Sequence, residues 1–210
     1  MKRYFSSGLV AIVLAATPAL AASAPTAADK VAEKMLGLTQ SVDAMKAQID
    51  SVMGSLTSLT AGSGDLVALY DTFGKQVDKT ESMYKKAKSE ASKARSQRDS
   101  YIKKWEASQQ KIQNEELRKT AEARKAELLP IIDKLKESAS GAEQAFLPFL
   151  QDLKDIRLFL GNDLNPTGVG KVKESLQPKC ATSASTVKTK LDEATVALKE
   201  LAGRIKPSQA

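Results

Sequence analysis

The chain contains no histidine and a single cysteine, Cys180, among its 210 residues. Without histidine it lacks the commonest general base and the commonest metal ligand. One thiol cannot close a disulfide within the chain, so Cys180 is either free or joins two chains, and the simplest reading is a small buried apolar residue. Aromatic residues are scarce, at 5%. Many Ala, Lys, Glu, Ser and Leu with few rings describe helices joined along thin seams, not a thick core. Beyond the first segment no apolar run is long enough to cross a bilayer.

What is present begins with a targeting segment. MKRYFSSGLVAIVLAATPALAAS opens on Lys2 and Arg3, continues through an apolar run at 8–16, and places Ala19 and Ala21 in the A-x-A spacing of a signal-peptide cleavage site. The expectation is a signal peptide at 1–21, a mature chain that is periplasmic or secreted, and no lipoprotein anchor, because no cysteine adjoins the cut. The net charge of +7 becomes +5 once Lys2 and Arg3 are removed. A chain of this length is sized for one domain, at 22–210.

The rest is governed by a seven-residue rhythm. Val31, Met35, Leu38, Val42, Met45, Ile49, Val52, Leu56 and Leu59 step by four and three, the seam of a long amphipathic helix. TAGSGD interrupts it at 60–65, with Ser63 or Asp65 as the next N-cap. A second seam runs Leu66, Tyr70, Phe73, Val77, Thr80, Tyr84, Ala87, Ala91, Ala94, Arg98, Tyr101, Trp105, Ser108, Ile112. Asp71–Lys75, Glu81–Lys85 and Asp99–Lys103 have the spacing of i,i+4 ion pairs. After Ile112 the phase slips at QNEEL. Asn114 as a cap and Glu115 and Glu116 at a helix start favour a hairpin; one continuous rod over 65–129 is the rival. A third seam continues to Leu160, with Pro130 and Pro148 expected to kink it, and Gly161 suits a left-handed C-cap. Asn165 and Pro166 open a fourth helix, which Pro178 should bend or interrupt.

The expected fold is therefore all-α: an elongated antiparallel helical bundle, or coiled coil, of about four long helices at 27–59, 65–113, 115–160 and 166–204. Four stretches carry a resemblance beyond this rhythm: GSGDLVALYDTF (62–73), TESMYKKA (80–87), NEELRKTAEARKAEL (114–128) and FLPFLQDLKDIRLFLGNDLNPTGVGKVKESLQ (146–177). Together they resemble the exported bacterial family catalogued as domain of unknown function 2959, and DIRLFLGNDLN is the most specific part. The resemblance implies an exported, coiled-coil-rich protein and brings no catalytic residues.

Motifs for chemistry fail on their spacing. GVGKVK (168–173) has Asn165 and Val172 where a phosphate-binding loop needs Gly and Ser or Thr. Ser82–Lys85 and Ser100–Lys103 match S-x-x-K without its companion motifs. The reading is no catalytic residue, no cofactor and no metal site, and hence no enzyme; no nucleic-acid motif appears either. Two surfaces remain as candidates. Between Lys85 and Lys104 eight basic residues face only Glu90 and Asp99, and Lys79, Lys86 and Lys93 recur every seven residues on the outward side. They could engage an anionic envelope surface weakly. Leu158 and Phe159 stand off the main seam and could contact another protein. The leading expectation is a structural or interaction protein of the cell envelope, with an envelope protein or a second copy of itself (a homo-oligomer) as partner. A periplasmic holdase-type chaperone and a peripheral binder of anionic surfaces are the alternatives.

Overall fold

A computed structural model describes residues 26–206; the signal segment expected at 1–21 lies outside the described residues. The described chain is helical throughout, with α1 at Ala27–Ala61, α2 at Leu66–Gln109, α3 at Glu115–Asn162, α4 at Pro166–Lys171 and α5 at Gln177–Ile205. A five-residue π-helical turn, Val172–Leu176, joins α4 to α5 into one long fourth helix.

Local chemistry sets the ends. Thr26 and Asp29 form a reciprocal capping box at the start of α1. Gly62, at φ 68°, closes α1 in the left-handed conformation that glycine adopts without strain. Asp65 caps α2 by accepting from the Val67 and Ala68 amides. Asn114 caps α3 by accepting from Leu117 N–H at 3.0 Å, so residues 65–129 form a hairpin and not a rod. Asn165 accepts from Thr167 and Gly168, and Pro166 occupies the first helical position, where its missing N–H costs nothing.

Two prolines sit inside α3 and one near the start of α5. α3 continues through Pro130 and Pro148, both on its exposed face. Pro178 behaves differently. A proline ring crowds the carbonyl four residues back. Just ahead of it the helix widens, and the Gln177 amide donates to the Val172 carbonyl, five residues earlier. The π turn therefore makes room for Pro178 while keeping the helix continuous. Gly161 does not form the expected cap: α3 runs on to Asn162, and among the described residues only Gly62 and Gly64 have positive φ. Gly161 is needed for close approach instead. The Tyr70 hydroxyl stands 2.8 Å from the position a Cβ would take and donates to the Arg157 carbonyl at 3.0 Å.

Cross-helix pairs establish the topology. Ser41 meets Glu90 while Gln48 meets Gln76 and Thr80, so α1 and α2 are antiparallel. Asp78–Arg157, Glu81–Lys154, Lys88–Glu143 and Glu106–Lys125 give α2 and α3 the same relation. Asp152–Lys179 and Lys134–Glu200 do so for α3 and α5. Lys46–Asp192 and Asp50–Lys188 close the ring between α1 and α5. The result is an antiparallel up-down-up-down bundle in which each helix flanks the next. At ~1.5 Å per residue the helices are about 50–70 Å long. Arg204, near the end of α5, reaches Glu127, so about three turns of α3 and the end of α2 project past the four-helix body.

The core is divided along the length. One cluster, around Phe73, Phe149, Leu153, Ile156, Cys180 and Val187, fills the end where α1 turns into α2. The other, around Met35, Ala94, Ile132, Leu135, Leu198 and Leu201, fills the opposite end. Small and polar residues separate them: Ser41, Ala91, Ser138 and Gly141, none of them fully buried. Ala91, expected on the seam, is exposed.

Candidate functional site

α2 carries most of the candidate chemistry, and its two outer edges differ. Taking 100° per residue, the edge turned towards α3 holds the ion-pair ladder. Arg157 reaches Asp78 at 2.5 Å, Lys154 reaches Glu81 at 2.9 Å and Lys88 reaches Glu143 at 2.7 Å. Glu81 also takes Lys85 at 2.9 Å, and the two lysines hold its carboxyl below the usual range. Tyr84 donates to Glu143 at 2.6 Å. Burial and the adjacent carboxylate raise the Tyr84 phenol, while Lys88 and Tyr84 lower Glu143. These tyrosines and carboxylates are engaged in joining α2 to α3.

Of the three expected i,i+4 pairs, Glu81–Lys85 forms. Asp71 and Lys75 make no ion pair among the described residues, and Asp99 turns to Arg98 at 2.6 Å and Arg95 at 3.9 Å instead of Lys103. Arg98 is itself buried, at 4% exposure. It sits on the seam with Asp99 as its counter-ion, and so contributes no charge to the surface. Of the eight basic residues between Lys85 and Lys104, half are paired: Lys85, Lys88, Arg95 and Arg98. Lys86, Lys93, Lys103 and Lys104 are exposed and form no ion pair among the described residues. Lys79 is exposed and unpaired in the same sense.

The apolar candidates separate. Most of the run 146–164 is core: Phe146, Phe149, Leu150, Leu153, Ile156 and Leu160 are buried. Leu158 is 70% exposed and Phe159 36%. Leu158 forms part of an open groove of about 430 Å³ between α2 and α3, beside Tyr70, Asp78, Glu81, Lys154 and Arg157. The charged lining is that of the ladder, each side chain already held by its partner across the seam. Sequence spacing could not locate the groove, because it depends on how α2 and α3 are rotated against each other.

Cys180 is buried and forms no disulfide, which leaves its sulfur no path to a second chain in the folded protein. Burial pushes the thiol up from 9.0 to about 11. Two results are expected. A thiol reagent at neutral pH should label Cys180 only after denaturant is added; labelling of the native protein at the rate of a free thiol would contradict the burial. And since the folded thiol keeps its proton to higher pH than the unfolded one, its contribution to stability should be full below pH 9 and fall as pH rises from 9 to about 11. Denaturant midpoints of wild type and Cys180→Ala across that window test this: only wild type should show that part of the decline.

Among the described residues no group of three or more His, Cys, Asp and Glu side chains converges as metal ligands. No helix among them is long and apolar enough to cross a membrane. A family model described as "Protein of unknown function (DUF2959)" matches residues 27–203. No curated protein matches the chain, and no solved structure does.

Proposed function

The chain belongs to the DUF2959 family of proteins of unknown function, and on that premise we propose that it is an exported, non-enzymatic structural or interaction protein of the cell envelope. The observation that carries the reading is how the bundle uses its reactive groups. Tyr70, Tyr84, Asp78, Glu81 and Glu143 stitch α2 to α3, and Cys180 is enclosed in the core. A catalytic site needs such groups free to act on an open position; here those that line the open groove, Tyr70, Asp78 and Glu81, are each engaged with a partner on α3. What remains outward is length, rigidity and charge, the properties of a protein that works by contact. Export rests on the basic, apolar and A-x-A segments at 1–21.

A holdase-type chaperone is less well supported. Such a protein needs a broad apolar surface, whereas among the described residues the exposed large apolar side chains are Leu36 on α1, Val67 on α2, Leu117, Leu129, Leu147, Leu158 and Phe159 along the length of α3, and Val196 on α5, with only Leu158 and Phe159 adjacent in the chain. Two measurements on the protein recovered from an envelope fraction test the proposal. Its intact mass should be that of a chain beginning at Ala22, and affinity capture should return one defined envelope component. A full-length mass or an acylated N-terminus contradicts export as read here, and a wide set of unfolded outer-membrane proteins contradicts the scaffold in favour of the chaperone.

A further inference from the structure

The second outer edge of α2, on the side away from the ion-pair ladder, holds Lys75, Lys79, Lys86, Lys93 and Lys104. At 100° per residue these five fall within an arc of about 40°, along about 44 Å of helix. All are exposed, and none forms an ion pair among the described residues. Between them on the same edge stand Ser82, Gln97 and Ser100. The acid closest to the row, Glu90, turns aside to α1 and accepts from Ser41 at 2.7 Å. The acids of the other edge are bound to cations: Asp78 to Arg157, Glu81 to Lys154 and Asp99 to Arg98. One helix thus neutralises one edge and leaves the other predominantly positive, five lysines against Glu90 beside the row and the exposed Asp71 one turn before Lys75.

The neighbouring face of α1 matches this row. Continuing around the bundle from the lysines, α1 presents Gly37, Gln40, Ala44, Ala47, Ser51 and Ser58, all exposed and all uncharged. Asp50 lies farther round, bound to Lys188 of α5. The α1–α2 face is therefore long and low, with positive charge along one side and mostly small neutral residues along the other, where the exposed Glu33 near the start of α1 is an acid in that arc.

We propose that this face lays the protein lengthwise on an anionic phospholipid bilayer, with the five lysines of α2 as its contacts. The proposal deepens the reading above by naming the surface that an envelope contact protein would meet, and it rests on that reading for its setting alone. Three features select a bilayer over a linear polyanion. The row is all lysine: a compact charge on a flexible stem suits a diffuse surface potential, whereas bidentate recognition of fixed phosphates favours arginine. No aromatic residue interrupts the row, so bases or sugar rings have nothing to stack on. Most lysines in the row are separated by more than a Debye length of ~8 Å, so they act almost independently. Laterally mobile headgroups can gather under each one, while a polymer would have to be held straight along the whole row. No large apolar side chain accompanies the lysines, so attraction is purely electrostatic and reversible by salt.

Co-sedimentation of the purified protein with vesicles tests this. One set contains phosphatidylglycerol in phosphatidylcholine; the other is phosphatidylcholine alone. The protein should sediment with the anionic set at about 0.01 M salt, where the Debye length is ~30 Å, and come off at about 1 M, where it is ~3 Å. Each lysine near the surface multiplies the partition coefficient about fivefold. The variant Lys79→Gln, Lys86→Gln, Lys93→Gln should therefore partition about a hundredfold less, with unchanged helix content because Lys and Gln have similar helix propensity. The control Lys171→Gln, Lys173→Gln, Lys199→Gln removes the same net charge from exposed positions of the fourth helix and should change partitioning less than about fivefold. The single variant Lys93→Gln gives a graded, roughly fivefold loss and serves should the triple variant lose helix content. Absence of binding to anionic vesicles, equal binding to neutral ones, or equal loss in the two triple variants overturns the proposal. Binding to polyphosphate that depends on the row, without binding to vesicles, overturns it in favour of a polymer. The assay uses purified protein, so a failure of export leaves its result standing, and a failure here leaves the mass and capture measurements standing.

Discussion

Replacing Phe149 by alanine should lower the stability of the bundle by about 3–5 kcal/mol, while replacing Phe159, ten residues on in the same apolar run, should change it by less than about 1 kcal/mol. Phe149 is fully buried and meets the ring of Phe146 edge-on, with centroids 6.2 Å apart. Phe146 in turn stacks on Tyr84 of α2 at 5.0 Å. Removing the Phe149 ring opens a cavity where α1, α2, α3 and α5 all contribute to one cluster, and long rigid helices cannot collapse into it without moving along their whole length. Phe159 is partly solvated and leaves no such void. For a chain of this size each kcal/mol corresponds to about 2–4 °C, so Phe149→Ala should melt about 10 °C lower. Thermal and urea denaturation of the two variants check this, and equal losses would mean that the register of α3 is wrong.

Gly168→Ala and Gly170→Ala should move stability in opposite directions although they stand two residues apart. A Cβ on Gly168 would overlap the carbonyl oxygen of Asp163 and lie 3.1 Å from its carboxylate. That carbonyl is held in place: it accepts from the Asn165 amide at 2.9 Å, and the Asn165 side chain accepts from Gly168 N–H at 2.9 Å. The turn from α3 to α4 therefore closes on the bare Cα of Gly168, and a methyl group must pry it open, at a cost of about 1–3 kcal/mol. Gly170 has nothing within 4 Å of the same position and is helical, so alanine there should add about 0.5–1 kcal/mol by restricting the unfolded chain. Urea midpoints for the pair decide it. A destabilising Gly170→Ala or a neutral Gly168→Ala would contradict the turn as described. The two glycines lie just past DIRLFLGNDLN, the most specific part of the chain's family resemblance, and the turn supplies a physical reason for glycine at 168.

The seams show what was legible in the chain and what was not. Steps of four and three are a local property of a helix, so Val31 to Leu59 and Phe73 to Val77 could be placed on the inner face from spacing alone. Caps are local as well, which is why Asn114 and Asn165 could be identified and the α2 cap narrowed to Ser63 or Asp65, of which the structure uses Asp65. The role of Gly161 was not legible: glycine serves equally as a left-handed cap or as a gap for a neighbour, and the neighbour, Tyr70, is far away in sequence. Arg98 kept the seam rhythm but could not be known to be buried, because that depends on Asp99 turning back to it. The same limit applied to the basic stretch. Which lysines of α2 are neutralised is decided by the register and rotation of α3, and Glu143, Lys154 and Arg157 reveal these only once the helices are docked. Lys79, Lys86 and Lys93 could be placed outward from spacing; that Lys85 and Lys88 drop out of the charged surface, and that Lys75 and Lys104 join it, could not.

Every functional inference above depends on α2 folding back against α3 so that one of its edges is neutralised and the other is left bare. Spin labels at Ser92 and Ala139, exposed residues at about the same level on the two helices, test this most directly. If α2 and α3 form the antiparallel hairpin, with axes ~8–10 Å apart, the labels should lie about 10–25 Å from each other. If the chain runs on as a single helix through residues 110–114, the same labels would be held about 70 Å apart, and a distance near that value would contradict the closed bundle and the division of charge built on it.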